Sequence, residues 1–186
     1  MRLLFLCAAL PALSWAAAPL DSDRLAAEAA SLIPPFQQQL LQTVQQAVAS
    51  GGPTAAVEAC QVVAPQIAEQ HSQSPWRIGR TALRLRNPAN QADAWERQVL
   101  EDFARRSQAG EPLAQMRQAA VVDGEYRYMQ AIATGEPCLA CHGSQIKAPV
   151  AALLDQRYPQ DQARGFQLGE LRGAFTLRRP ISEVQP

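Results

Sequence analysis

Apolar residues recur at helical spacing through the first third of the chain, which predicts amphipathic helices. A first helix should start near Asp21 and break at Pro34-Pro35, because two consecutive prolines remove two backbone donors. A second helix should carry the apolar face of residues 36–48 and end at Ser50-Gly51-Gly52-Pro53. The pattern therefore predicts several N-terminal helices joined by short breaks.

The helix expected after Pro53 places a cysteine on its apolar face. Cys60 shares one stripe with Val57 and Ile67, so its thiol should point towards the core rather than to solvent. Pro65 should kink or interrupt this helix about one turn after the cysteine.

From residue 76 onwards the pattern changes to short alternating segments, which are typical of strands. Residues 76–80 and 83–86 alternate in this way, whereas Asp93 to about Arg106 has helical periodicity. Residues 149–156 could form a further short helix, and 171–181 read as a last strand.

A hairpin is predicted in the middle of the chain. Residues 113–122 and 125–132 flank Asp123-Gly124, a dipeptide that strongly indicates a two-residue hairpin turn. N-terminal helices followed by an antiparallel sheet with a helical insertion make an α+β fold, in which the helices pack on the sheet.

Residues 1–16 have the pattern of a secretory signal peptide. Met1-Arg2 precedes an apolar run, and small residues stand around a cleavage site after Ala16. Cys7 would leave with this segment, and residues 17–186 are long enough for a single domain with a sizeable core. No other segment has the length of a membrane span, so we expect a periplasmic protein without one.

Charge gives no sign of a polyanionic partner. The chain has 17 basic and 17 acidic side chains, and the loss of Arg2 would leave one more acid than base. Nucleic acid and anionic membrane surfaces are therefore not expected as partners.

The main candidate for chemistry is Cys138-Leu139-Ala140-Cys141-His142, a C-x-x-C-H motif. This spacing is typical of c-type haem attachment, in which two cysteines bind the porphyrin and the histidine binds the iron. The sequence thus predicts one covalently attached haem c, in the loop after the central hairpin. Gly143 follows, where the missing Cβ would let the backbone pass close to the macrocycle.

Two other interpretations of the cysteines are open. The pair could be a thioredoxin-like redox motif, although that motif expects a βαβ context. Cys60, Cys138, Cys141 and His142 could instead form a Cys3His zinc site. Export favours haem over a thiolate zinc site, because such zinc sites suit reducing compartments better.

The second axial ligand is not decided by spacing. Cys60 is a candidate, as are Met116 and Met129 on the predicted hairpin and Lys147, and the position could also stay open. His71 lies in a polar stretch, which predicts a solvated surface histidine rather than a ligand.

Several blocks in a fixed order carry a family resemblance over nearly all of the mature chain. They are Ala59-Cys60-Gln61 with residues 64–68, Trp76–Thr81 running into Arg86–Asn90, Asp93–Glu96, Cys138–Gly143, Tyr158-Pro159 with Asp161, Ala163, Gly165-Phe166 and Gly169, and Arg172-Gly173-Ala174. With these blocks the chain resembles a family of PAS-like c-type haem domains, which occur as secreted proteins and as periplasmic sensor domains. The resemblance implies a PAS-like fold and an iron held by His142 and by Cys60.

Arginines are candidates for the haem propionates. A guanidinium matches a carboxylate bidentately, so Arg80 and Arg172 are predicted to bind them.

The sequence and the resemblance together predict a redox or diatomic-gas sensor that would respond to NO or CO. The alternatives are a small cytochrome that carries electrons between periplasmic proteins, and the zinc protein. We expect haem-maturation machinery and a redox or signalling protein as partners. No arrangement of residues predicts an enzyme.

Overall fold

The N-terminal part of the described chain is a helical hairpin. The computed structural model describes residues 20–181, so the predicted signal peptide with Cys7 lies outside the described residues. Helix α1 (Ser22–His71) departs from helical dihedral angles at Gly51 and Gly52. The second arm of α1, residues 53–71, folds back on the first, because His71 Nε2 lies 2.7 Å from Gln39 Oε1.

The prolines of α1 do not break it. Pro34, Pro35 and Pro65 all lie inside the helix and are exposed, so the predicted break at Pro34-Pro35 and the predicted interruption at Pro65 are wrong. A buried stripe continues in register across the proline pair, since Ile33 and Phe36 are each 1% exposed. Tertiary packing of this stripe outweighs the missing backbone donors.

Four strands form one antiparallel sheet in the order β1-β4-β3-β2. The strands are β1 (Arg77–Thr81), β2 (Arg117–Val122), β3 (Glu125–Ala133) and β4 (Leu171–Pro180). The hairpin predicted at Asp123-Gly124 joins β2 to β3, and both turn residues have positive φ, 50° and 76°. The α+β prediction, with helices packed on an antiparallel sheet, is confirmed.

Three further helices and three single turns complete the described elements. The helices are α2 (Ala94–Gln108), α3 (Leu139–His142) and α4 (Ala148–Arg157). The 3-10 turns are Pro88–Asn90, Leu113–Gln115 and Glu136–Cys138.

Two predicted strand boundaries are wrong. Residues 83–86 join no sheet, because Arg84 and Arg86 turn their side chains to the segment 161–170 instead. The strand expected from Leu113 starts only at Arg117, after a 3-10 turn that follows Pro112.

Each face of the sheet has its own core. Helix α1 packs on the face that carries Tyr126, Tyr128 and Phe175, and α2 covers the opposite face with Met129 and Ala174. The pairing of Thr81 with Ala174 places the end of β1, which carries Arg80, at the same end of the sheet as the start of β4, which carries Arg172. Within residues 20–181, no helix has the length and hydropathy needed to cross a bilayer.

Candidate functional site

The C-x-x-C-H motif forms one compact turn after β3. Cys138 ends a 3-10 turn, and Cys141 and His142 close the one-turn helix α3. Cys138 and Cys141 are both half-buried free thiols, and their spacing of three residues places them on the same side of a helical turn.

Gly143 ends α3 where no side chain fits. A Cβ added there would lie 2.6 Å from the carbonyl oxygen of Leu139, the same oxygen that accepts a hydrogen bond from the Gly143 N–H at 2.9 Å. The crowding comes from the backbone of the motif itself. Glycine is therefore needed to close the turn that carries the histidine.

His142 is held by a backbone carbonyl. Its Nδ1 donates a hydrogen bond to the Ala163 carbonyl oxygen at 2.7 Å, and Phe166 packs on it edge to face with ring centroids 6.3 Å apart. Burial, followed by the positive charges of Arg172 and Arg86, lowers the pKa of His142 to about 3. The ring is thus neutral, with the proton on Nδ1 and a lone pair on Nε2, which is the form that binds metals.

Arg86 connects the motif to the segment after α4. Its Nη2 donates to the carbonyl oxygens of Cys141 at 2.6 Å and Ala163 at 3.1 Å, and its Nε and Nη2 both donate to the Asp161 carboxylate at 3.2 Å. The pair is buried, with side chains 10% and 2% exposed. Arg86 Nη1 also lies 3.4 Å from His142 Nε2, the longest of its contacts.

Asp161 shapes the turn that presents the Ala163 carbonyl. Its Oδ1 accepts a hydrogen bond from the Ala163 N–H at 2.9 Å, and its Oδ2 accepts one from Arg164 Nε at 2.8 Å. Burial acts to raise the pKa of Asp161, but hydrogen bonds from Arg164, Arg86 and the Ala163 N–H hold it below its usual value. The carboxylate therefore stays ionised.

Sequence reasoning did not assign roles to Arg86, Asp161 or Ala163. All three stand in the blocks that carry the family resemblance, which was the available signal. Their mutual contacts join positions 75 and 77 residues apart, and no local pattern reports such distances.

Cys60 lies in the same cluster as the motif. Burial raises the pKa of its thiol, while the nearby guanidiniums of Arg80, Arg86 and Arg172 act to lower it. The Cys60 thiol in turn acts to raise the pKa of Cys141, in which burial has the larger effect. One turn before it, Val57 packs in the apolar cluster that Cys141 adjoins. The sequence predicted that the Cys60 thiol points towards the core. In the structure it lies in this polar cluster instead of the apolar core under α1.

Arg80 and Arg172, the two arginines predicted from sequence, come together here. Both are half-buried, and within residues 20–181 neither forms an ion pair. Burial, with the charges of Arg86 and Arg80, lowers the pKa of Arg172 to about 10. The cluster contains the guanidiniums of Arg80, Arg86 and Arg172, and the Asp161 carboxylate is paired with Arg86. The cluster therefore has an excess of positive charge, which suits an anionic ligand.

Of the other residues considered as axial ligands, Lys147 is exposed at the start of α4, and the two methionines lie in the core. Met116 and Met129 are both 0% exposed in the core under α2. His71 is half-buried between Gln39 and Phe36, so the prediction of a solvated histidine is wrong. The structure brings together Cys60, Cys138, Cys141, His142, Arg80 and Arg172.

The zinc interpretation finds no support in the geometry. Across residues 20–181, no three His, Cys, Asp or Glu side chains are arranged so that they could hold one metal ion. A Cys3His site needs four ligands within bonding distance of one point. Cys60 and the motif would have to move to form one.

Comparisons with known proteins agree with the fold. A search of curated proteins found no match. Among solved structures, the crystal structure of the cyanobacterial haem protein Tll0287 superposes with a TM-score of 0.60 at 24% sequence identity. The alignment covers 85% of this chain and 98% of that chain. At this identity the likeness establishes the fold.

The family model described as Tll0287-like matches residues 21–180, which is nearly the whole described chain. The match includes every residue of the cluster described above and confirms the family resemblance predicted from the sequence blocks. The chain belongs to the Tll0287-like family.

Proposed function

We propose that this chain is a periplasmic monohaem c-type protein that senses redox state or a diatomic gas. The observation that carries the proposal is the state of His142: its Nδ1–H is bound to the Ala163 carbonyl at 2.7 Å, so that Nε2 alone is left for a metal. The Tll0287 structure, named as a haem protein, supports the assignment.

The residues present fit a haem. Cys138 and Cys141 would form the two thioether bonds, attached by haem-maturation machinery, and His142 Nε2 would bind the iron. Iron at His142 Nε2 would displace the contact between this nitrogen and Arg86 Nη1 at 3.4 Å. The other contacts of Arg86 do not involve the imidazole and could remain. When bound, haem would supply an iron that can change oxidation state and bind NO or CO.

Arg80 and Arg172 are proposed to bind the propionates. Both guanidiniums are half-buried and unpaired within residues 20–181, and burial, together with repulsion from Arg86 and Arg80, lowers the pKa of Arg172. Carboxylates would relieve this repulsion and satisfy the guanidinium donors.

Cys60 is proposed as the second axial ligand. It stands on the second arm of α1, whereas His142 belongs to α3, so a bond from its sulfur would tie two elements together through the haem. Burial raises the pKa of the Cys60 thiol and so opposes the anionic sulfur that would bind iron, whereas the three neighbouring guanidiniums favour that form. Loss of this bond would free α1 to shift against the sheet, as a sensor requires.

An electron carrier is the second candidate. Cys138, Cys141 and His142 are half-buried rather than enclosed, which would leave part of a bound haem near solvent and within reach of a redox partner protein. A carrier should keep both axial ligands in the two oxidation states, whereas a gas sensor should release one.

The test uses protein produced with a cytochrome c maturation system. We expect a c-type haem spectrum and a low-spin thiolate EPR signal that Cys60→Ala abolishes and Val62→Ala, an exposed residue of the same arm, retains. Reduced protein should bind CO with a shift of its absorption maximum. An unchanged spectrum under CO would contradict gas sensing, and colourless protein containing zinc would contradict the haem assignment.

A further inference from the structure

Arg86 makes several contacts around His142. Its guanidinium bonds to the carbonyl oxygen of Cys141, one residue before His142, and to that of Ala163, which accepts the His142 Nδ1–H. The same guanidinium is fixed by Asp161 through two donors. Arg86 thus contacts the backbone of both segments that hold His142, and its Nη1 lies 3.4 Å from His142 Nε2.

We infer that Arg86, fixed by Asp161, is a positioning residue that sets the orientation and the donor strength of His142. The inference rests on the proposed function, because it gives His142 the role of iron ligand. It concerns residues outside the motif, which do not themselves bind the haem.

The first step of the argument is geometric. The Ala163 carbonyl reaches His142 only because the segment after α4 turns back, and Asp161 Oδ1 holds that turn by accepting the Ala163 N–H at 2.9 Å. The parallel contact between Gly143 and Phe166, with Phe166 N donating to the His142 carbonyl at 2.9 Å, keeps the two segments side by side. Arg86 closes the arrangement by bonding to both segments at once.

The second step concerns the strength of the ligand. A hydrogen bond from the far nitrogen of a ligating histidine to a carbonyl raises the basicity of the nitrogen that faces the metal. A more basic histidine stabilises ferric iron and lowers the reduction potential. Any change that loosens Ala163 from Nδ1 should therefore raise the potential.

The third step separates positioning from charge. Arg86→Lys keeps the positive charge, but an ammonium on a flexible stem cannot hold two carbonyls and a carboxylate in one plane. Arg164→Lys is the matched control, since Arg164 also bonds to Asp161 at 2.8 Å but makes no hydrogen bond to Cys141 or Ala163. If Arg86 acted on His142 only through its positive charge, both variants would have the midpoint potential and the exchange rate of the wild type.

The experiment compares haem-loaded wild type, Arg86→Lys and Arg164→Lys. We expect Arg86→Lys to raise the midpoint potential and to speed solvent exchange of the His142 Nδ1–H proton, observed by NMR in the reduced CO-bound state, by about tenfold or more. Arg164→Lys should change neither quantity. If Arg86→Lys does not yield folded protein, the exchange rate of the His142 Nδ1–H proton is measured in Asp161→Asn instead. We expect this exchange to be faster than in the wild type.

Two results would overturn the inference. One is that Arg86→Lys has the midpoint potential and the exchange rate of the wild type. Where Asp161→Asn replaces Arg86→Lys, the corresponding result is an exchange rate equal to that of the wild type. The other is an equal change in Arg164→Lys, which would indicate general loosening around Asp161. Failure of the proposed function is distinguishable, because it would appear in the wild type as protein without covalent haem.

Discussion

His142 is neutral and carries its proton on Nδ1, since burial and the charges of Arg172 and Arg86 lower its pKa to about 3 while Ala163 accepts the Nδ1–H. The sequence predicted the histidine and both thiols because the spacing within the motif is itself the signal. It did not predict the acceptor, which lies 21 residues further along in an irregular segment. Local spacing thus singles out the candidate ligand, whereas its tautomer depends on tertiary structure.

At the same scale, Gly143→Ala should destabilise the protein. The new Cβ would meet the Leu139 carbonyl oxygen at 2.6 Å, a backbone atom that cannot rotate away. We expect a loss of about 1–3 kcal/mol in the free energy of unfolding, measured by urea titration. Gly135→Ala is the control, because the atom nearest to its new Cβ would lie at an ordinary 3.7 Å. Equal stability of the two variants would contradict the crowding described at Gly143.

Among the elements, α1 differs most from its prediction. Its prolines predicted separate helices, but the buried stripe through Ile33 and Phe36 holds one continuous arm, and only Gly51-Gly52 reverses the chain. Helix α2 was predicted well from the helical periodicity of residues 93–106, and a capping box of Asp93 and Glu96 begins it in the structure. Capping is a local signal, whereas tolerance of proline depends on what packs beneath it.

The Asp93 cap should give α2 a measurable dependence on pH. Burial acts to raise the pKa of Asp93, but bonds from the Glu96 N–H and Arg127 hold it below its usual value. Because the folded pKa is depressed, the stabilisation is complete above the unfolded value, about 3.9, and is lost as the pH falls through the folded one.

Asp93→Ala should therefore cost about 1 kcal/mol at neutral pH. Its unfolding free energy should fall less steeply than that of the wild type below about pH 4. Asp93→Asn keeps the capping oxygen and serves as the control for the charge. Parallel curves of unfolding free energy against pH for wild type and Asp93→Ala would contradict this account of the cap.

In the molecule as a whole, the site lies where the sheet, α1 and the motif meet. N-terminal helices followed by an antiparallel sheet with a helical insertion predicted the α+β plan, and the resemblance placed Cys60 and His142 together. Neither revealed the ion pair between Arg86 and Asp161. Residues 83–86 alternate in the way a strand does, but the Arg86 side chain bonds to a segment more than 70 residues away. Long-range polar contacts of this kind have no periodic signature.

Because the site has an excess of positive charge, removal of one arginine should change the free energy of unfolding in opposite directions without and with haem. Arg80→Gln should raise the free energy of unfolding of protein made without haem maturation, because it removes an unpaired guanidinium that burial destabilises and that repels Arg172. In haem-loaded protein the same change should lower stability and the midpoint potential. Arg77→Gln, an exposed position on the same strand, should change neither. The same direction of change with and without haem would contradict propionate binding by Arg80.

The most direct test of the central claim is the intact mass of the mature protein from a host that matures cytochromes c, together with a count of its free thiols. We predict a mass increased by one haem, with Cys138 and Cys141 blocked and Cys60 the remaining free cysteine after unfolding. An unmodified mass with all three thiols free would contradict the account.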